Sequence, residues 1–375
     1  MRSIRLFING QWRAGARGRT LEVINPATEQ AVAQLCLAYE DDMADARRAA
    51  AAGFETWRGV SAVDRATILK KIADGLRRDV DAIARVLTEE QGKPLEQSRI
   101  EIATTAAYFE ELGLYATKIV DEEVAEPESG LKRIISYEPV GPTFAVSPWN
   151  LPALLPGRKI ASALAAGCSV IVKAHKATPE TAYLIAKCCQ DAGIPNGVVN
   201  MISGSSQLIS QAMMNSDVIR KVSFTGSTPV GKDLAARAGA AMKKVTMELG
   251  GHAPCIVFPD VDQDMVARSL VRSRHANAGQ SCITPTRFFV HAKIYDAFAS
   301  RFSDLSSKLR LGNGLDPATE MGPLASARRI DAMQELVDDA TAKGAELCTG
   351  GRALAGDGYF YQPTVLKNVS NEAHI

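Results

Sequence analysis

After a short extended start, apolar positions recur at helical spacing through most of the first 120 residues. Leu6-Phe7-Ile8-Asn9-Gly10-Gln11-Trp12 predicts a hairpin, because Asn-Gly is a strong two-residue turn signal between extended runs. Residues 41–57 and 62–91 then predict helices, the second carried by Ile68, Leu69, Ile72, Leu76, Val80 and Ile83. Gly92-Lys93-Pro94 stops that run, and a further helix is predicted over roughly 95–118. Residues 119–138 break the pattern: acidic residues and Gly130 lead into Leu131-Lys132-Arg133-Ile134-Ile135-Ser136-Tyr137, an exposed ribbon rather than core.

From Pro139 the rhythm changes. Short β-rich runs at Thr143–Val146, Ser169–Lys173, Val198–Ile202 and Lys221–Phe224 alternate with helical segments. The helix after Lys173 reads as capped by Thr178, opened by Pro179 and Glu180, and ended by Gly193. Alternation without hairpin turns implies parallel strands joined by crossover helices. The predicted fold is therefore α/β with a doubly wound sheet, which places ligands at the carboxyl ends of its strands. Val245–Leu249 and Ala253–Phe258 lead into a second α/β region running to the end.

Composition adds mainly exclusions. The 375 residues suffice for two domains, and 43 basic against 42 acidic side chains leave no field calling for nucleic acid or membrane. The first ten residues lack the apolar stretch of a secretory signal, and the Ala-rich runs are too often interrupted by charge to span a bilayer. Seven scattered cysteines form no Cys-x-x-Cys pair, and the five histidines show no metal spacing against them. Free thiols in a reducing cytoplasm are the economical reading, with no metal site.

Four segments carry candidate chemistry. In Lys221–Lys232 a strand runs into Gly226 and a helix opens at Ser227 or Thr228; helix N-termini hold phosphate, Gly226 permits close backbone approach, and Gly231 lets the helix pack tightly. An ordinary capped helix would read the same way. In Val146-Ser147-Pro148-Trp149-Asn150 a strand ends in a loop stiffened by Pro148 and Pro152. Asn150 there offers an uncharged donor for a transient oxyanion, or closes an Asx turn. In Met247-Glu248-Leu249-Gly250-Gly251, a Glu between apolar neighbours is costly on a buried strand unless it is paired or used. Desolvation would raise it towards a general base; a structural ion pair is the rival. In Gly279-Gln280-Ser281-Cys282, the thiol lies in a loop between a helical run at about 262–276 and the strand Phe288-Phe289-Val290. Cys168, Cys188 and Cys189 instead read as helical and Cys255 as a strand residue, with Cys36 and Cys348 in apolar flanks, where an inert thiol is the default.

Together Pro148-Trp149-Asn150, Phe224-Thr225-Gly226-Ser227-Thr228, Met247-Glu248-Leu249-Gly250-Gly251 and Gly279-Gln280-Ser281-Cys282 resemble the aldehyde dehydrogenase superfamily. The resemblance runs from Phe7-Ile8-Asn9-Gly10-Gln11-Trp12 through Glu90-Gln91-Gly92-Lys93-Pro94 to the last residues. It implies a Rossmann-like cofactor domain over 1–120 and 139–249, an oligomerisation arm over 121–138, and a catalytic domain over 250–375. By the same resemblance Cys282 is the nucleophile that takes an aldehyde through a thiohemiacetal to a thioester. Asn150 and the Cys282 N–H serve the oxyanion, and Glu248 activates the hydrolytic water. The presence of Glu248 argues against transfer of the acyl group to coenzyme A.

The resemblance also implies NAD or NADP as cofactor, held by Trp149, Lys173, Lys176, Gly226, Ser227 and Gly231. Many NAD-preferring relatives carry Glu where this chain has Lys176, so NADP is expected to be accepted. Arg158 matches one of the two arginines with which succinate-semialdehyde dehydrogenases hold a distal carboxylate, while the second aligns with Ala276. The expected partners are a small aldehyde or semialdehyde and further copies of the chain in a homo-oligomer. Relatives continue about a hundred residues past the position of Ile375, through a Glu-x-Phe-Gly-Pro segment and an assembly strand. The expectation is therefore a catalytic domain cut short, weakly active or inactive as given, with a non-catalytic, cofactor-binding or subunit-associating protein as the alternative.

Overall fold

The structure is a computed structural model that describes residues 1–124 and 132–375. Five short strands open the chain: β1 (Arg2–Ile4), β2 (Leu6–Ile8), β3 (Gln11–Arg13), β4 (Thr20–Ile24) and β5 (Ala31–Cys36). β2 and β3 form the predicted hairpin, with Phe7 opposite Trp12. Asn9 and Gly10 sit at φ 53° and 76°, the left-handed pair that a type I′ turn requires. The other three strands are not predicted by the sequence pattern and pair as β1-β5-β4. Their alternation is real, with Ala33 and Leu35 buried around an exposed Gln34, but it extends over too few residues to register as a period.

Four helices follow: α1 (Glu40–Arg58), α2 (Ala62–Arg78), α3 (Val80–Gln91) and α4 (Leu95–Ala116). The run predicted as one helix over 62–91 divides at Asp79, whose φ of −100° and ψ of 15° leave the helical region. Buried Leu69, Ile72 and Leu76 continue into buried Ile83 and Leu87, so the apolar stripe crosses the break unaltered and hides it from periodicity. β6 (Glu122–Val124) and β7 (Arg133–Ile135) pair antiparallel as an exposed ribbon. Residues 125–131 of the predicted 119–138 ribbon, Gly130 and Leu131 among them, lie outside the described residues.

The alternating region contains β8 (Thr143–Val146), α5 (Leu154–Ala165), β9 (Val170–Lys173), α6 (Glu180–Asp191), β10 (Val199–Ile202), α7 (Ser206–Met214), β11 (Lys221–Thr225), α8 (Thr228–Ala240) and β12 (Lys244–Glu248). Its sheet has the order β12-β11-β8-β9-β10-β2-β3. The first five strands are parallel, and the hairpin joins antiparallel at the far edge. Side-chain alternation separates two cores: Val170 and Val172 of β9 pack with Leu69, Ile102 and Phe109, whereas Ile171 packs with Met43, Ala46 and Met213 on the other face. This is the predicted doubly wound α/β arrangement.

Two local predictions are corrected. Thr178 does not cap α6; its hydroxyl donates to the Trp149 carbonyl at 3.3 Å. The buried Glu90 carboxyl group takes the capping role from a distance in sequence, accepting the N–H groups of Glu180 (2.8 Å) and Thr181 (2.9 Å). Cys168 lies between α5 and β9 rather than in a helix, although it is buried as expected. The remaining chain forms β13 (Ala253–Val257), α9 (Gln263–His275), β14 (Pro285–Val290), α10 (Tyr295–Ser307), α11 (Ala327–Ala342), β15 (Glu346–Thr349) and β16 (Val365–Lys367). β13 and β14 are parallel and share a separate small core with α9 and α10, built on Val257, Ala267, Val271, Phe298 and Phe302. Among the described residues no helix is long and apolar enough to cross a membrane.

Candidate active site

Three loops leave the carboxyl ends of β8, β9 and β11 on one edge of the parallel sheet, where an open α/β fold collects ligand groups. The β8 loop carries Trp149 and Asn150, both half-buried. Asn150 does not close an Asx turn. Its Nδ2 donates to the Gln280 carbonyl at 2.9 Å, which ties the β8 loop to the segment bearing Cys282. Its Oδ1 is buried without a hydrogen-bond partner among the described residues. An amide nitrogen has two N–H groups, so one remains for a ligand beside Cys282.

The Cys282 loop is held by an unusual backbone. α9 stops at His275, and Asn277, Ala278 and Gly279 follow at φ 53°, 52° and 72°. Two consecutive non-glycine residues in the left-handed region cost about 1–3 kcal/mol each, so the surroundings must impose the turn. The Asn277 N–H donates to Gln97 Oε1 (2.8 Å), and its side chain accepts from Gln91 Nε2 (2.7 Å). Asn277 Nδ2 donates to the Asn150 carbonyl at 2.9 Å. Gln280 reaches the other way, its Oε1 accepting the Ala325 N–H ahead of α11 at 3.0 Å. Cys282 emerges from this brace exposed, and its N–H has no protein partner among the described residues. Cys36, Cys168, Cys188 and Cys189 are buried free thiols, in keeping with an inert role.

Glu248 departs from its expected setting. β12 is an edge strand paired only with β11, so Glu248 is exposed rather than desolvated, and it makes no side-chain hydrogen bond or ion pair among the described residues. Its carbonyl accepts the Gly226 N–H at 3.1 Å, which fixes it beside the start of α8. Lys159 nearby is half-buried, and its ammonium donates to Ser223 Oγ at 2.9 Å. Burial pushes Lys159 down to about 8, with the Glu248 charge acting against that shift. Arg158 next to it is exposed; its guanidinium stacks 4.7 Å from the Tyr108 ring centroid and pairs with no carboxylate among the described residues.

The cofactor residues gather around β9 and β11. Ser227 is the N-cap of α8 but makes no side-chain cap bond, leaving first-turn N–H groups available to an anion. A Cβ on Gly231 would lie 2.3 Å from Leu249 Cδ2, so glycine there lets α8 sit directly against the end of β12. Lys173 is buried at the end of β9, with no side-chain hydrogen bond or ion pair among the described residues. Burial, reinforced by Lys176, pushes it down to about 8. A buried ammonium without a protein acceptor suits a polyhydroxylated or anionic ligand. His175 is driven down to about 4 by burial and the two lysines, and its Nδ1 accepts the Ala177 N–H. Lys176 projects into solvent. No group of three potential metal-ligating side chains occurs among the described residues.

Sequence reasoning did not single out Gln91, Lys93, Glu101, Asn277 or Gln280 as functional, yet they hold Asn150 and the Cys282 loop together. The available signal was polar residues at helical spacing on a face that must be buried: Gln97, Glu101 and Thr105 are one turn apart on α4.

Residues 12–375 match the profile of the aldehyde dehydrogenase family. The chain is 37% identical over 366 residues to a mitochondrial succinate-semialdehyde dehydrogenase of Oryza sativa subsp. japonica, covering 98% of this chain and 69% of that one. It is 36% identical over 369 residues to the NADP(+) succinate-semialdehyde dehydrogenase of Escherichia coli strain K12, covering 98% and 77%. The crystal structure of succinate-semialdehyde dehydrogenase from Burkholderia pseudomallei superposes with a TM-score of 0.96 at 37% identity, covering 99% of this chain and 77% of that one. Sequence, fold and site geometry agree: this chain belongs to the aldehyde dehydrogenase family.

Proposed function

We propose that the chain oxidises an aldehyde to its carboxylic acid with NAD(P)+, with Cys282 as nucleophile, Asn150 as oxyanion donor and Glu248 as base. The Cys282 thiolate adds to the carbonyl carbon, and the carbonyl electron pair moves to oxygen. The remaining Asn150 N–H and the unpartnered Cys282 N–H are the donors for that oxyanion. When bound, the cofactor accepts the hydride lost from the same carbon. A thioester on Cys282 remains. Glu248, exposed and without a side-chain partner among the described residues, takes a proton from the attacking water, and the thiolate leaves as the acid forms. The observation that carries this reading is the 2.9 Å bond from Asn150 Nδ2 to the carbonyl two residues before Cys282.

Trp149, Lys173, Lys176, Gly226, Ser227 and Gly231 would hold the cofactor, with Lys176 favouring acceptance of a 2′-phosphate. Arg158, free of any carboxylate among the described residues, supports an aldehyde bearing a distal anion, such as a semialdehyde. Residues 1–120 and 139–249 form the cofactor domain and 250–375 the catalytic domain. The exposed β6–β7 ribbon serves assembly of a homo-oligomer, and the working compartment is the cytoplasm. The test is formation of reduced cofactor from succinate semialdehyde, with mass analysis of the trapped acyl enzyme. Turnover and an acyl adduct on Cys282, both lost in Cys282→Ser, are expected; turnover retained in Cys282→Ser refutes the assignment.

A further inference from the structure

Behind Asn150 lies an ion pair that the chemistry above does not use. Lys93 Nζ and Glu101 Oε2 are 2.6 Å apart, with side chains only 2% and 3% exposed. Taking two charges out of water is costly, and such a pair is a weak source of stability compared with apolar side chains of similar volume. Its hydrogen bonds indicate another use. Glu101 Oε1 accepts the N–H groups of Ala153 (2.9 Å) and Leu154 (3.0 Å), which fixes the start of α5. Lys93 Nζ also donates to the Asn150 carbonyl at 3.1 Å. The pair therefore grips both ends of the 150–154 turn. The Asn150 carbonyl receives its second bond from Asn277 Nδ2, while the Asn150 side chain is fixed on Gln280.

We propose that Lys93, locked by Glu101, is a positioning residue for the oxyanion site of Cys282, acting through the Asn150 peptide. This rests on the role proposed above for Asn150. Without the ammonium the carbonyl keeps only the Asn277 bond, and the peptide can rotate and carry the Asn150 amide off its line to the reacting oxygen. A misplacement of about 1 Å can slow a reaction on the order of 100-fold.

The test compares two reactions of Cys282 in the full chain without cofactor. Acylation by p-nitrophenyl acetate passes through an oxyanion; alkylation by iodoacetamide does not. Both are followed on the Cys282 peptide, with Cys282→Ser as background. Lys93→Met is expected to slow acylation about 10- to 100-fold, with alkylation within about twofold of the wild type and partial rescue of acylation by Lys93→Arg. In Lys93→Met/Glu101→Gln, where the amide oxygen still accepts the Ala153 and Leu154 N–H groups and no unpaired charge stays buried, the urea midpoint should recover while acylation stays slow. Acylation recovering together with stability in the double variant, or both reactions slowing in equal proportion, would overturn the proposal. Asn150→Ala separates the two levels. An unchanged ratio of the two rates there removes the Asn150 role itself. A ratio that falls in Asn150→Ala but holds in Lys93→Met refutes only the positioning role.

Discussion

Gly231→Ala tests whether α8 and the end of β12 are coupled as tightly as their geometry requires. The added methyl would sit 2.3 Å from Leu249 Cδ2 and 3.3 Å from Cδ1, inside contact distance. Overpacking of that kind costs about 1–3 kcal/mol, while replacing glycine by alanine inside a helix returns about 1 kcal/mol of helix propensity. The net expectation is a loss of about 0–2 kcal/mol in urea denaturation. Leu249→Ala removes the obstruction, so Gly231→Ala in that background should gain up to about 1 kcal/mol instead. The four-variant cycle should then give a coupling of about 1–3 kcal/mol. Because Leu249 follows Glu248 and α8 starts at the proposed phosphate site, KM for NAD(P)+ should rise in the single variant and fall back in the double. Equal cost of Gly231→Ala in both backgrounds would refute the packing argument.

Glu90→Gln should produce a pH-dependent stability difference. Burial pushes the Glu90 carboxyl up to about 8 against the two N–H groups it accepts. The folded chain then holds a proton that the unfolded chain releases from about 4.5 upward, so the wild type should lose stability relative to the variant as pH rises from about 4.5 to 8. The slope should approach about 1.4 kcal/mol per pH unit, read from urea midpoints at four pH values; a flat difference means an ionised Glu90 held by the helix N-terminus. Lys176→Glu should shift the ratio of kcat/KM for NADP+ over NAD+ downward by about tenfold or more, the equivalent of about 1.4 kcal/mol, and unchanged selectivity would exclude the lysine from 2′-phosphate recognition. Glu248→Gln should leave the first turnover intact while slowing steady state about 100-fold, so that a burst of reduced cofactor and a persistent thioester on Cys282 appear in rapid-mixing and mass measurements. Loss of the burst itself would assign Glu248 to an earlier step.

The parallel sheet was legible because each of β8, β9, β10 and β11 is a short β-rich run set between helical segments, a rhythm that hairpin-connected strands do not produce. The Asn-Gly hairpin was equally legible, since its turn chemistry is local. The three-stranded β1-β5-β4 sheet was not, because neither an intervening helix nor a two-residue turn marks its strands and β1 finds its partner in β5, Arg2 opposite Ala33. The break at Asp79 was hidden for a related reason: both helices turn the same apolar stripe to one core.

At the site, the sequence by itself determined the reacting types and their order: Asn150 after a strand, Gly226 before a helix, Glu248 before two glycines, and Cys282 in a loop. What those groups experience was decided only by the tertiary structure. Glu248 reads as buried from its apolar neighbours but is exposed on the edge strand β12, since burial depends on what covers a strand as well as on its own residues. Asn150 could have closed a turn and instead bonds across 130 positions to Gln280. The Lys93–Glu101 pair becomes meaningful only where α4, the β8 loop and the Cys282 loop converge. Hydrogen bonds act over about 3 Å of space whatever the separation along the chain, so the residues that aim the chemistry come into view only once the chain is folded.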